Sequence, residues 1–263
     1  MIRFRPVLLF VLLFSNPASA FDVSGLQPLA PNGVLSTFSA ESLQKRKFSA
    51  EFQMERSREP DFYRVQLRGA YGITDALELS FNAPYVFNYD SSVGERDGME
   101  DIALGLKHRF LNEGRYRPAI AYILTGSLPS GRDLLSTDGR VGAGIVVSKK
   151  LGPFDANFNA LYLWPFQERL DEEVLLAAGL RLHATHSTWI LVEALVRQQH
   201  GADSFNQAEV RLGYRIKAGD RVYTTIGAGA DFRSRHPEYR MLFSLNFTSP
   251  SSTKKLRQVY EEE

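Results

Sequence analysis

The chain has 263 residues, of which 23% are charged, with a formal net charge of +1 and no cysteine. A near-neutral balance gives no electrostatic basis for binding nucleic acid. The absence of cysteine excludes disulfides, iron–sulfur clusters, thiol nucleophiles and a lipoprotein anchor cysteine.

The first twenty residues have the three parts of a secretory signal peptide. Arg3 and Arg5 precede the apolar run Val7–Phe14, and Ala18-Ser19-Ala20 is a small-x-small cleavage site. The apolar run is too short to span a bilayer. We therefore predict that residues 1–20 are a signal peptide cleaved after Ala20. The rest of the chain lacks the run of about 20 apolar residues that a transmembrane helix needs, which excludes a helical membrane protein.

The apolar residues in 21–46 follow neither the period of a strand nor that of a helix. Pro28, Pro31 and Gly33 interrupt the first part, and a polar stretch over residues 40–46 follows. We predict a periplasmic lead-in with one short helical turn at most, or a segment that folds into the mouth of the following domain as a partial plug. The sequence leaves both open.

Twelve runs of about ten residues alternate between apolar and polar side chains from residue 47 to residue 247. Strict period-two alternation predicts β-strands with two different faces, and ten residues is the length that a tilted strand needs to cross a bilayer. The runs are Lys47–Arg56, Phe62–Tyr71, Ala76–Tyr85, Asp101–Phe110, Pro118–Leu128, Val141–Lys149, Phe154–Trp164, Val174–His183, Thr188–Arg197, Gln207–Lys217, Arg221–Phe232 and Tyr239–Phe247.

The connections between the runs alternate between tight turns and longer polar loops. This is typical of periplasmic turns and extracellular loops. Aromatic residues also gather near the strand ends, as interfacial girdles do. We predict an all-β fold: a transmembrane antiparallel up-and-down β-barrel of 12 strands over residues 47–247, with a polar periplasmic tail at 248–263. Loops Asn88–Glu100 and Pro129–Arg140 are candidate gates or plugs. The alternative is a soluble β-sandwich or lipocalin-like barrel, whose strands are usually shorter.

Charged side chains recur on the polar face and are predicted to line the lumen. They need water or charge partners, because an isolated buried charge costs several kcal/mol. They form either a structural ladder of ion pairs or a charged constriction that selects permeants. The candidates are Glu51, Glu55, Arg64, Arg68, Glu78, Lys107, Arg109, Arg181, Glu193, Arg197, Glu209, Arg211, Arg215, Asp231 and Arg240.

The inward face of the fifth to seventh runs is apolar and small until Asp155. We name this face the small-residue wall. It provides either a slot for a hydrophobic permeant or space for an inserted loop or the N-terminal segment, and both readings remain open. Its members are Ala119, Ala121, Ile123, Gly142, Gly144 and Val146.

Several strand and turn sequences resemble a bacterial outer-membrane family, the "MetA-pathway of phenol degradation"-like putative transporters. They are GITDALELSFNAPYVF at residues 72–87, and the stretches at 98–110, 127–131 and 142–152. The resemblance covers Gly33–Trp164 and continues beyond it mainly as pattern. It implies a β-barrel that passes small aromatic or hydrophobic compounds, and it transfers no functional residue position by position.

From these observations we expect a porin-like outer-membrane channel or transporter, not an enzyme, that passes or binds small molecules. We predict no cofactor and no metal, and as partners outer-membrane lipid, a small-molecule permeant and the outer-membrane assembly machinery. Two alternatives remain: a structural barrel with an occluded lumen, and an outer-membrane lipid hydrolase.

Overall fold

The computed structural model describes residues 24–58, 61–91, 94–168, 170–198, 205, 207–232 and 238–249. The predicted signal peptide and nearly all of the predicted tail lie outside these residues. The described residues form thirteen strands and one short 3-10 helix, Asp133–Leu135. The strands are β1 Phe48–Arg58, β2 Phe62–Gly72, β3 Leu77–Ser91, β4 Gly94–Met99, β5 Ala103–Leu111, β6 Ala119–Ser127, β7 Arg140–Leu151, β8 Phe154–Pro165, β9 Glu173–His183, β10 Thr188–Gln198, β11 Gln207–Ala218, β12 Val222–Asp231 and β13 Tyr239–Thr248.

The strands close into one antiparallel ring. From β5 to β13 each strand pairs with the next, β1 pairs with both β2 and β13, and β2 pairs with β3. Because β4 and β5 both pair with β3, they share one position in the ring, which therefore has twelve positions. The predicted twelve-strand antiparallel up-and-down barrel is confirmed. None of the described residues belongs to a helix that is long and apolar enough to cross a membrane.

The fourth position of the barrel differs from the prediction. Residues 88–100 were expected to form a loop, but β3 continues to Ser91 and pairs with β4 as a hairpin. The register shifts between Val86 and Tyr89, where Asn88 has a φ of 54°. Buried Tyr89 packs edge-on against Phe62. Burial of the Tyr89 side chain therefore accompanies the continuation of β3 beyond Asn88, where the alternation of inward and outward side chains is interrupted.

Side-chain exposure alternates along the strands, with apolar residues outside. On β1, Phe48, Phe52 and Met54 are exposed, whereas Glu51 and Glu55 are buried inside the ring. A soluble barrel would place these faces the other way round, because it buries its apolar side chains. The outer surface is therefore suited to hydrocarbon, and the polar interior is shielded from it.

The two ends of the barrel differ in their connections. At the short-turn end, β2 and β3, β7 and β8, and β11 and β12 are joined by tight turns, and β1 begins there. At the long-loop end lie the longer connections, including residues 128–139 and 166–172.

An arginine on the outer face should destabilise the barrel according to its depth. Leu67, at the middle of β2, and Leu151, at the short-turn end of β7, are 54% and 56% exposed. We expect Leu67→Arg to lower the free energy of unfolding in lipid vesicles by about 2–4 kcal/mol and Leu151→Arg by about 0–1 kcal/mol. Denaturant titration of both variants measures the difference. Equal costs at the two positions would contradict a membrane-spanning outer surface.

Candidate functional site

Residues 24–46 run through the interior of the ring, and we name them the N-terminal segment. They contact inward-facing side chains of strands on opposite sides of the barrel. Ser24 lies at the level of Asn82 and Glu100, in the half towards the long loops, whereas the Lys45 amide bonds to Asp75 in a tight turn. The segment therefore crosses the lumen before it joins β1 at the short-turn end. It forms no helix, so the single helical turn allowed from its sequence is absent.

Glu193 on β10 binds the middle of the N-terminal segment. Its Oε2 accepts hydrogen bonds from the backbone amides of Leu35, Ser36 and Thr37, at 3.2, 2.8 and 2.7 Å, and from the Thr37 hydroxyl at 2.7 Å. Both Glu193 and Thr37 are buried. Hydrogen bonds to a buried carboxylate are among the stronger ones in proteins. Glu193 is therefore a principal anchor of the segment.

Arginines hold the carbonyl groups of the same segment. Arg215 donates to Gly33 O at 2.7 Å and to Val34 O at 2.5 Å, and Arg68 donates to Pro28 O at 3.0 Å. Other inward side chains accept from its amides. These bonds join Ala30 to Glu51, Phe38 to Asn159, Ala40 to Ser148 and Leu43 to Glu78. An irregular backbone needs such partners when it is buried, since unpaired amides and carbonyls are costly there.

The small-residue wall contacts the N-terminal segment. Phe38 and Ala40 pack in one buried cluster with Ala119, Ala121, Ile123 and Val146, and Leu26 lies against it. Gly142 and Gly144 do not belong to this cluster, and they lie against the backbone of β8. A Cβ on Gly144 would lie 2.7 Å from the carbonyl oxygen of Ala160 on that strand. These two glycines let β7 and β8 approach closely, so enlarging them would strain the sheet.

All the predicted lumen charges are buried except Arg109, Arg181 and Arg211, which are partly buried. In the first third of the chain, these charges form ion pairs between neighbouring strands. Glu51 faces Arg68 and Glu78 faces Lys107 in the register, with closest distances of 2.5 and 3.2 Å. Many of these side chains also bind the N-terminal segment, so they serve both the sheet and the segment.

A second cluster of charges lies in the long-loop half. Arg64 and Arg240 both approach Oε1 of Glu55, at 3.6 and 3.7 Å. Arg240 also lies 3.9 Å from Glu209, which is 2.6 Å from Nε of Arg211. The arginines therefore share carboxylates in one continuous ladder that crosses β1, β2, β11 and β13.

Glu238 extends this ladder into the loop before β13. Burial raises the pKa of its carboxyl group, although Arg240, 3.2 Å away, acts in the opposite direction. As the pH falls, this carboxyl group becomes neutral before an ordinary glutamate does, and its ion pair with Arg240 is lost.

Above the N-terminal segment lies a cavity in the long-loop half, with about 880 Å³ of space not filled by atoms, part of it open to solvent. We name its leucines and alanine on β8, β9 and β10 the apolar wall: Leu161, Leu163, Leu175, Ala177 and Leu195. Across the ring, β1, β2 and β13 contribute Gln53, Glu55, Arg64, Gln66, Arg240 and Leu242, and β11 contributes Arg211. Arg140 and Arg197 also line the cavity but border the apolar wall, because β7 pairs with β8 and Arg197 pairs with Leu175.

Sequence reasoning missed the apolar wall of this cavity. Asn157 and Asn159 lie on the inward face of β8, and the same parity continues to Leu161 and Leu163. Extending the period-two pattern to the end of each run would have found both leucines. Both leucines follow Asp155, the residue at which the predicted small-residue wall ends.

The loop between β6 and β7 folds inward at the long-loop end. The Asp101 carboxylate accepts hydrogen bonds from Gly131 N at 2.9 Å, Ser136 Oγ at 2.7 Å and Thr137 N at 2.8 Å. Leu135 is buried with Phe62, Val86 and Tyr89. The predicted candidate gate of residues 129–140 is therefore tied to the wall through Asp101.

Two of the three histidines in the described residues, His183 and His108, have structural partners. His183 Nε2 lies 2.7 Å from Asp155 and its Nδ1 accepts from Trp189 at 3.0 Å, whereas His108 contacts the Tyr122 ring edge-on. Within the described ranges, no group of three or more His, Asp or Glu side chains is placed to hold a metal ion.

A closed barrel with an apolar exterior and a polar interior has the fold of outer-membrane channels and porins. The chain is similar in structure to an outer membrane channel from Pseudomonas putida F1, with a TM-score of 0.63, 13% identity, and coverage of 80% of this chain and 98% of that one. It is also similar to the NanC porin (TM-score 0.59, 8% identity, 75% and 98% covered) and the KdgM porin (0.56, 8%, 76% and 98%). No protein-family model matches the chain, and no curated protein matches its sequence. At these identities the likeness establishes the fold.

Proposed function

We propose that this protein is an outer-membrane channel that takes up small molecules with an aromatic or hydrophobic body. The signal peptide directs it across the inner membrane, and the assembly machinery inserts it with the long-loop end outward and lipid against its apolar face. A permeant enters the cavity from the long-loop end, and the N-terminal segment moves to let it pass. The resemblance to the phenol-degradation-type transporters favours the same class of permeant.

The cavity in the long-loop half is the observation that carries this proposal. Its lining joins apolar side chains to charged and hydrogen-bonding ones, and small-molecule sites use this combination to hold and orient a ligand. The N-terminal segment forms its floor, because Leu26, Leu35 and Phe38 line it. A solute that enters is therefore held between the apolar wall and Arg64 and Arg240, next to the segment that closes the path.

Uptake by whole cells tests the proposal, because apolar solutes cross simple lipid vesicles unaided. We expect expression of the protein in cells that lack their general porins to raise the initial uptake rate of a radiolabelled small aromatic solute. Ala177→Trp fills the cavity from β9 and should return uptake to the rate of cells without the protein. Its matched control is Ala178→Trp, the next residue of the strand, whose side chain is exposed on the outer face.

The two variants separate transport from assembly. Equal amounts of both in the outer membrane, with uptake lost only in Ala177→Trp, support passage through the cavity. If unaltered protein gives no uptake above that of cells without it, the protein is an occluded barrel and the channel proposal is wrong.

A further inference from the structure

We propose that the cavity binds amphipathic organic anions: a carboxylate carried on an apolar body. This rests on the proposed function, whose permeants it narrows by charge. The first observation is the sign of the groups at the cavity surface. Five arginines line it but only one carboxylate, that of Glu55.

Two of these arginines are paired with carboxylates that do not line the cavity. Glu100 is 2.7 Å from Nε of Arg64, and Glu209 is 2.6 Å from Nε of Arg211. Both glutamates are buried with no more than 1% exposure. These pairs, together with the bond from Nη1 of Arg211 to the Ser36 hydroxyl, hold the guanidinium groups at the cavity surface. Guanidinium groups match the planar geometry of a carboxylate, and their attraction is stronger in a dry site than in water.

The apolar wall selects the rest of the ligand. Leu161, Leu163, Ala177 and Leu195 are buried and line the cavity across the ring from Arg64 and Arg240. Inorganic anions or acetate would leave this surface without a partner, whereas an aromatic ring or alkyl chain would cover it. The arginines and the apolar wall together therefore demand both an anionic head and an apolar body.

A series of ligands of equal size but different charge tests this on the unaltered protein. Benzoate, benzyl alcohol and benzylammonium are dialysed against the full chain in lipid nanodiscs, with empty nanodiscs as the blank. We expect benzoate to bind at least about tenfold more tightly than benzyl alcohol, and benzylammonium not to bind. Acetate should bind at least about tenfold more weakly than benzoate. Octanoate in parallel shows whether an alkyl body serves as well as a ring.

Two variants locate the binding. Arg211→Gln should remove the preference for benzoate over benzyl alcohol, and Ala177→Trp should remove binding of both, while Ala178→Trp changes neither. Because Arg211→Gln leaves Glu209 with fewer partners and can fail to fold, the ligand series stands without it. Benzyl alcohol binding as tightly as benzoate overturns the inference and leaves the channel proposal intact. If benzoate binds selectively but the cells show no uptake, the anion site is supported and the transport proposal is wrong.

Discussion

Deletion of residues 24–46 is expected to raise the single-channel conductance of the purified barrel severalfold. An eight-stranded barrel is filled by its own side chains, while sixteen strands leave an aqueous channel, so a ring of twelve without an inserted segment should conduct ions. The ring itself should survive, because every strand pairing lies outside the deleted residues. Charges such as Glu51 and Arg68 keep each other as partners and gain water.

Planar-bilayer recordings of the unaltered and shortened proteins measure this effect. A third protein, in which a Gly/Ser-rich stretch of equal length replaces residues 24–46, shows whether specific contacts or mere bulk obstruct the path. We expect it to conduct more than the unaltered protein, since a flexible stretch cannot form the bonds to Glu193 and Arg215. Unchanged conductance after deletion would mean that another element closes the lumen.

A disulfide between the N-terminal segment and the barrel wall should abolish uptake reversibly. A Cβ on Gly179 would lie 3.0 Å from Cβ of Thr37, slightly closer than the roughly 3.5–4.5 Å of a disulfide, and 2.8 Å from Cγ2 of Val34. The bond therefore requires the N-terminal segment to move slightly away from β9. The chain contains no cysteine, so only the introduced pair can form a bond. We expect Thr37→Cys/Gly179→Cys to lose uptake of the aromatic solute when oxidised and to recover it with a reductant.

Each single cysteine variant is the matched control for this experiment. It carries the same loss of the Thr37 hydroxyl or the same added bulk at Gly179, but it cannot form the tether. Both single variants should transport equally with and without reductant. If the oxidised double variant transports as fast as the reduced one, the permeant passes a stationary segment, and the requirement for movement is refuted.

The barrel could be predicted from the sequence because its physical cause is a repeated local pattern. One face of each strand is apolar and faces lipid, and the other face is polar and faces the lumen. Apolar and polar side chains therefore alternate along each of the twelve strands. Even the pairing of Glu51 with Arg68 and of Glu78 with Lys107 follows from opposite signs on adjacent strands. The alternation does not predict the end of β3. There Tyr89 is buried by contact with Phe62 and Leu135, and the strand continues into the predicted loop.

The path of the N-terminal segment could not be predicted, because its own backbone makes most of the bonds that hold it. The amides of Leu35, Ser36 and Thr37 and the carbonyls of Gly33 and Val34 bind inward charges, and backbone groups are the same for nearly every residue type. The sequence therefore left a lead-in and a plug equally open. The apolar wall of the cavity was missed for another reason: Leu161 and Leu163 follow Asp155, at which the predicted small-residue wall ends.

The direct peptide link between the N-terminal segment and β1 has a consequence for reversibility. A detached blocker would diffuse away after leaving the pore, but a tethered one experiences an effective concentration on the order of millimolar. Each departure is thus followed by intramolecular recapture, without help from any other molecule. Permeation past such an element is governed by how often it departs, and the shortened barrel should become blocked again when a free peptide of residues 24–46 is supplied at millimolar concentration.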